Sequence, residues 1–363
     1  DDGPLEINAL QTSLQLLERD PMIERINAQL LPGALPGQGM LRLEVTESRP
    51  WQLAVRADNH RSPAVGGDQA SLMVRNRSLT GRADELTLYG GFADGYGDGF
   101  ASYSLPLNSQ GTSVQFYGST SDSDIVEEPF SDIDIQSETG SYGLTFNQRL
   151  HQSLTTNFAV FLGGEIKHNE NTLLGIPFSF TYGERNGETD LAVFYAGFEF
   201  AKRFERSVAA VRTSVRRGLH RANATENRVE FGDPAGGPDG QFTTAVVQGQ
   251  YIRDLGWRNS NLVARLTYQH AWHPLLAMEK LPMGGSSTVR GYRENLLVRD
   301  HGAIASLEYR VPLYRDDITT GAFSARRVTL AVFADHGASW NEGWELEPDT
   351  RKQRISSVGL GLL

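Results

Sequence analysis

Asn261-Leu-Val-Ala-Arg-Leu-Thr-Tyr-Gln269 is the stretch whose reading decides the fold class. In an extended chain Leu262, Ala264, Leu266 and Tyr268 fall on one face. Val263, Arg265, Thr267 and Gln269 fall on the other, with Val263 the one apolar exception. Residues 303–313 repeat the pattern, with Ala303, Ala305, Leu307, Tyr309, Val311 and Leu313 set against Ile304, Ser306, Glu308, Arg310 and Pro312. Residues 244–251 do so again. Each run is short and bounded by Gly, Asp, Asn or Ser, so these segments read as strands. A period of two leaves one question open: the polar face meets either water over a soluble sheet or the lumen of a closed barrel.

Loop lengths bear on that choice. Counting from Trp51, about fourteen strands follow, and the connections alternate in length. Those after odd strands are long: Asn59–Asp68, Ser121–Glu138, Asn169–Glu188, Leu219–Gly240, Leu275–Asn295 and Ala338–Gln353. Those after even strands are mostly short: Leu79–Asp84, Leu107–Gly111, Gln148–Ser153, Arg203–Arg206 and Arg253–Ser260. A short connection after Ala93 and a longer one at Tyr314–Arg327 break the rule. Long external loops and short periplasmic turns are the habit of outer-membrane barrels. Trp51, Trp257 and Tyr314 fall near the short-turn end, either as an aromatic girdle or as scattered surface aromatics.

Composition allows this reading and excludes others. The 363-residue chain has no Cys, 38 Gly, 15 Pro and a formal charge of −10. No run approaches the roughly 18 apolar residues of a membrane helix, a test that strands escape because only alternate residues face lipid. The absence of Cys excludes thiolate metal sites and disulfides. The acidic balance argues against nucleic acid as a partner. Basic residues are nearly all Arg, with Lys only at 167, 202, 280 and 352. That fits either carboxylate pairing in a confined space or a genomic bias. No secretory leader opens the chain, which is expected to be mature, trimmed or both.

Residues 1–49 read differently. Leu10, Leu14 and Leu17 line one face of a helix over Ile7–Arg19, which Pro21 ends. Ile23–Leu31 and Met40–Thr46 read as strands around Pro32-Gly33. Fewer than fifty residues are marginal alone, so the chain is expected to begin partway through this module.

Between two of the alternating strands lies Leu281-Pro-Met-Gly-Gly-Ser-Ser-Thr-Val-Arg-Gly-Tyr-Arg293, and further on comes Phe333-Ala-Asp-His-Gly337. In the later strand Val328, Leu330, Val332 and Ala334 share one face. Thr329, Ala331, Phe333 and Asp335 share the other. Gly284, Gly285 and Gly291 permit tight turns, and Arg290 carries a fork suited to a carboxylate.

These two segments resemble the signature of the Omp85 superfamily, and specifically its two-partner-secretion branch, the TpsB transporters. The loop motif is Gly284, Gly285, Val289, Arg290, Gly291 and Tyr292. The motif on the thirteenth strand is Phe333, Asp335 and Gly337. Leu5–Glu47, with Leu31-Pro32-Gly33 and Pro36-Gly37, resembles the latter part of a second POTRA domain. Arg49-Pro50-Trp51 and Asp58-Asn59 resemble the entry into the first barrel strand.

The resemblance implies an all-β transmembrane barrel of sixteen strands, about fourteen of them in this chain. Residues 1–49 would be the end of an α+β POTRA domain, and residues 50–363 the barrel without its last strands. The sixth external loop would fold into the pore with Arg290 salt-bridged to Asp335. The implied protein is an outer-membrane translocase, not an enzyme, with its POTRA part in the periplasm and without cofactor or metal. Its partners would be a TpsA-type exoprotein (an adhesin or haemolysin) and outer-membrane lipid with lipopolysaccharide, and it would act as a monomer. An Omp85-type assembly factor, a passive porin and an outer-membrane lipase are the rivals. No Walker, Gly-x-Ser-x-Gly or EF-hand pattern appears. His270 and His273 are spaced to face opposite sides of a strand.

Overall fold

The computed structural model describes residues 6–33, 38–228, 232–233, 235–315, 327–344, 347 and 350–363. Leu5, Pro36-Gly37, the connection 316–326 and the side chain of Tyr314 lie outside these.

The chain opens with a helix, Ile7–Leu17, and an antiparallel hairpin, Ile23–Pro32 with Gly39–Glu47. The Asp20 carboxylate accepts from Met22 N–H at 2.9 Å, which turns the chain from helix into strand. Arg19 Nη1 donates to the Leu154 carbonyl at 2.6 Å, so this module touches a short turn of the large sheet.

From residue 51 onward, fourteen described strands pair in sequence order in one continuous antiparallel sheet, to which the two-residue strand Ile176–Pro177 adds at Thr172–Leu173. They are Trp51–Asp58, Gln69–Asn76, Glu85–Ala93, Tyr96–Pro106, Thr112–Asp124, Ile135–Gln152 and Thr156–Leu173. Then follow Glu188–Arg203, Ser207–Leu219, Thr243–Asp254, Asn261–Ala271, His301–Arg315, Arg327–Trp340 and Gln353–Leu362. They are numbered one to fourteen below. Strand one pairs with strand two and strand fourteen with strand thirteen, and among the described residues these outer strands do not pair with each other. The sheet is therefore not closed.

The two faces differ as the alternation requires. Leu53, Phe116, Tyr142, Leu162, Phe194, Leu266, Leu307 and Val332 stand exposed on the convex side. An exposed apolar band of this extent is unstable in water and suited to lipid. The other face holds buried polar groups, among them Thr145, Gln269, Glu308 and Asp335. It is concave, because side chains several strands apart meet across it. Tyr117 of strand five bonds Tyr195 of strand eight at 3.2 Å and Glu165 of strand seven at 2.7 Å.

Several strands run further than sequence alone suggests. Strands five and six extend to Asp124 and from Ile135, so the expected loop 121–138 narrows to residues 125–134. Strand seven reaches Leu173, and the turn expected at 148–153 narrows to residues 153–155 because strand six continues to Gln152. The physical reason is plain. Beyond the apolar band both faces of a strand are polar, so the hydropathy alternation fades while the backbone ladder continues.

Candidate functional site

The connection between strands eleven and twelve turns back onto the concave face. It has three parts. A base, residues 272–280, ends in a 3₁₀ turn at Ala277–Glu279. A stem pairs Leu281–Met283 with Leu297–Arg299. A tip, residues 284–296, carries the glycines and Arg290.

The tip turns where the glycines allow it. Gly284 and Gly285 have φ of 112° and 99°, a region costly for residues with a β-carbon. A side chain at Gly285 would also collide with the Glu294 carboxylate, which accepts from Ser286 N–H at 2.7 Å. Thr288 Oγ1 accepts from Gly284 N–H at 2.9 Å. These bonds close the turn locally.

Arg290 then lies against strands twelve and thirteen. Its Nε and Nη2 donate to the two carboxylate oxygens of Asp335 at 2.7 and 2.8 Å, and its backbone N–H adds a third bond at 3.1 Å. Its Nη1 donates to Glu308 Oε2 at 2.6 Å and its Nη2 to Ser306 Oγ at 3.2 Å. The guanidinium sits 3.5 Å above the centroid of the Phe333 ring. Arg310 donates to the other Glu308 oxygen at 2.5 Å. Two arginines thus neutralise two carboxylates that are almost wholly enclosed. Each charge-assisted bond contributes about 1.5–3 kcal/mol, and neutrality makes burial of the quartet tolerable. The Asp335 carboxylate, supported by Glu308, holds the Arg290 guanidinium even more firmly protonated than a free arginine, against the opposing effect of burial.

An apolar contact backs the ionic one. Val289, Met283 and Ile304 are buried together, with Leu281, Tyr292, Leu297 and Ile355 packed around them. Burying one such side chain contributes about 1.5–3 kcal/mol, comparable to one of the Arg290 bonds. Gly337 leaves the space that Met283 and Val289 fill. Tyr292 reaches strand fourteen, donating its hydroxyl to the Ser356 carbonyl at 3.0 Å. Gly291, with φ of 87°, has open space around it.

The residues singled out in the loop and on strand thirteen thus meet at one place. Sequence reasoning did not single out Glu308 as a partner of Arg290, nor Ser306 and Arg310. The available signal was register: Ser306 lies opposite Asp335 and Glu308 opposite Phe333, on the same inward parity. The long connection expected at 121–138 supplies another partner: Glu127 receives two bonds from Arg293 at 2.8 and 3.0 Å. His270 faces His301 and Trp272, not His273. Among the described residues no cluster suited to a metal ion occurs.

Residues 37–362 match the family model of haemolysin secretion/activation proteins ShlB/FhaC/HecB. The chain belongs to this family. It is thereby a TpsB-type member of the Omp85 superfamily of outer-membrane β-barrel transporters. Solved structures agree in fold. CdiB from Escherichia coli superposes with a TM-score of 0.75 at 19% identity, covering 100% of this chain and 65% of that one. CdiB from Acinetobacter baumannii gives 0.70 at 15% identity, over 98% of this chain and 62% of that one. BamA from Haemophilus ducreyi lacking POTRA domains 1–3 gives 0.62 at 14% identity, over 99% and 72%. The chain therefore spans somewhat less than two thirds of either CdiB chain. A search of curated protein sequences gives no match.

Proposed function

We propose that this TpsB-type protein is the translocase for one large, unfolded exoprotein, and that the loop carrying Arg290 is the resting plug of its pore. The observation that carries this reading is the neutral quartet of Arg290, Asp335, Glu308 and Arg310 on the concave face. A loop held by several bonds of a few kcal/mol is stable at rest and still exchangeable when another chain competes for the space. Residues 1–49 act as the end of a periplasmic POTRA domain, and residues 50–363 as a barrel wall completed by further strands outside this chain. Among the described residues the hairpin Ile23–Pro32 with Gly39–Glu47 pairs only with itself, and such strand edges suit capture of an extended client by β-augmentation. Folding of the client outside then draws it through, without nucleotide hydrolysis.

The test is export of a genetically adjacent exoprotein by the full-length protein, beside Arg290→Ala and Asp335→Ala at matched outer-membrane levels. Export by wild type and a changed export rate in both variants supports the reading. Normal export in both variants would remove the loop from the mechanism. No export by wild type, with defective insertion of other barrels in a deletion strain, would favour an assembly factor.

A further inference from the structure

The base of the loop has its own ionic contact, remote from Arg290. Glu279, at the end of the 3₁₀ turn, is nearly fully buried. Its Oε1 accepts from Lys167 Nζ of strand seven at 2.7 Å. Its Oε2 accepts from Arg216 Nε of strand nine at 3.0 Å. Its backbone carbonyl accepts from Gln269 Nε2 of strand eleven at 3.0 Å. Lys167 and Arg216 also pair with Glu165, whose other oxygen takes the Tyr117 hydroxyl. Two carboxylates therefore balance two cations, and removing Glu279 would leave an excess positive charge on the wall. On the other side of the base, Leu275 and Leu276 are fully buried with Leu191, Val193, Phe242 and Ala271.

None of these groups lies on strands twelve to fourteen, where the tip is held. The base and tip are joined through the short stem and the Gly284-Gly285 turn, whose backbone angles glycine adopts without the cost of a β-carbon. We propose that Glu279 is a second anchor, independent of Arg290, which keeps the base lying over the concave face after the tip has been released. Release of Arg290 then opens the pore only to an intermediate width, and loss of the Glu279 contact sets the full width. This rests on the reading of the loop as the plug. Glu279 acts as a positioning residue, through Lys167 and Arg216.

The experiment is single-channel recording of the full-length protein in planar bilayers, as wild type, Arg290→Ala, Glu279→Gln and the double variant. Each preparation is first shown to be folded by heat-modifiable mobility. Arg290→Ala is expected to open more often than wild type. Glu279→Gln alone is expected to stay mostly closed, because the tip still fills the pore. The double variant is expected to show a larger unitary conductance than Arg290→Ala. An equal unitary conductance in those two overturns the inference and leaves the plug reading intact. Failure of Arg290→Ala to change gating at all overturns both. Should Glu279→Gln not fold, Lys167→Gln in the Arg290→Ala background removes one of the two ion pairs of Glu279 from the wall side and decides by the same comparison.

Discussion

Gly337 lies directly beneath Val289: a β-carbon at position 337 would come within 3.0 Å of Val289 Cγ2 and would overlap the Met283 sulfur. The missing side chain on strand thirteen is thus the seat of the loop, two residues along the same face from Asp335. Gly337→Leu should unseat the loop while leaving Arg290 and Asp335 chemically intact, since overpacking a filled contact costs about 1–3 kcal/mol. The measurement is channel opening, or entry of large antibiotics that the outer membrane excludes. A variant as tight as wild type would show that the apolar seat contributes nothing to closure.

Arg290→Lys should not substitute for arginine. One ammonium cannot span both Asp335 oxygens and Glu308, nor lie flat on Phe333 as the guanidinium does. Loss of at least one charge-assisted bond, about 1.5 kcal/mol or more, raises the open population by about tenfold or more. Open probability at fixed voltage reads this directly, and wild-type values for the lysine variant would contradict it.

The two carboxylates should differ in importance. Asp335 accepts three bonds from Arg290, whereas Glu308 accepts one and keeps Arg310 as a second partner. Asp335→Asn is therefore expected to impair closure more than Glu308→Gln. Comparing the two in one conductance series tests the order, and a reversed order would rule it out.

One pH effect belongs to the short-turn end. Asp84 is buried in the turn between strands two and three. Burial alone would raise its pKa, but Thr80 N–H and Oγ1 and the Tyr103 hydroxyl, at 2.9–3.2 Å, outweigh it and lower the value from 3.8 to about 2. A depressed carboxylate pKa gives stability that is fully present above the unfolded value near 3.8 and is lost as pH falls towards about 2. Asp84→Asn should lower thermal stability at pH 7, with the difference from wild type shrinking below pH 4. A difference independent of pH across that range would contradict the assignment.

What could be read in advance follows the physics of each element. Strand thirteen declares its faces because Val328, Leu330 and Val332 alternate with smaller and polar residues, and this parity is enough to point Asp335 inward. The turn at Gly284-Gly285 is legible because few residues other than glycine adopt its backbone angles. Glu308 was visible as an inward residue, but its bond to Arg290 depends on how the loop folds back, which no spacing encodes. Glu279 was invisible for the same reason: its partners lie on strands seven and nine, far away in sequence. Strand ends such as residues 121–124 and 136–138 were lost because their residues are polar on both faces.

The hydroxyl of Tyr292 donates to the Ser356 carbonyl and faces the Ser356 N–H at 3.3 Å, on the strand that ends the sheet. The tip is consequently tethered to the outermost described strand as well as to the interior of the wall. A polypeptide pushing the tip aside therefore loads strand fourteen as well as strands twelve and thirteen. Gate and strand fourteen are mechanically coupled, so stiffening that strand should also stiffen the gate.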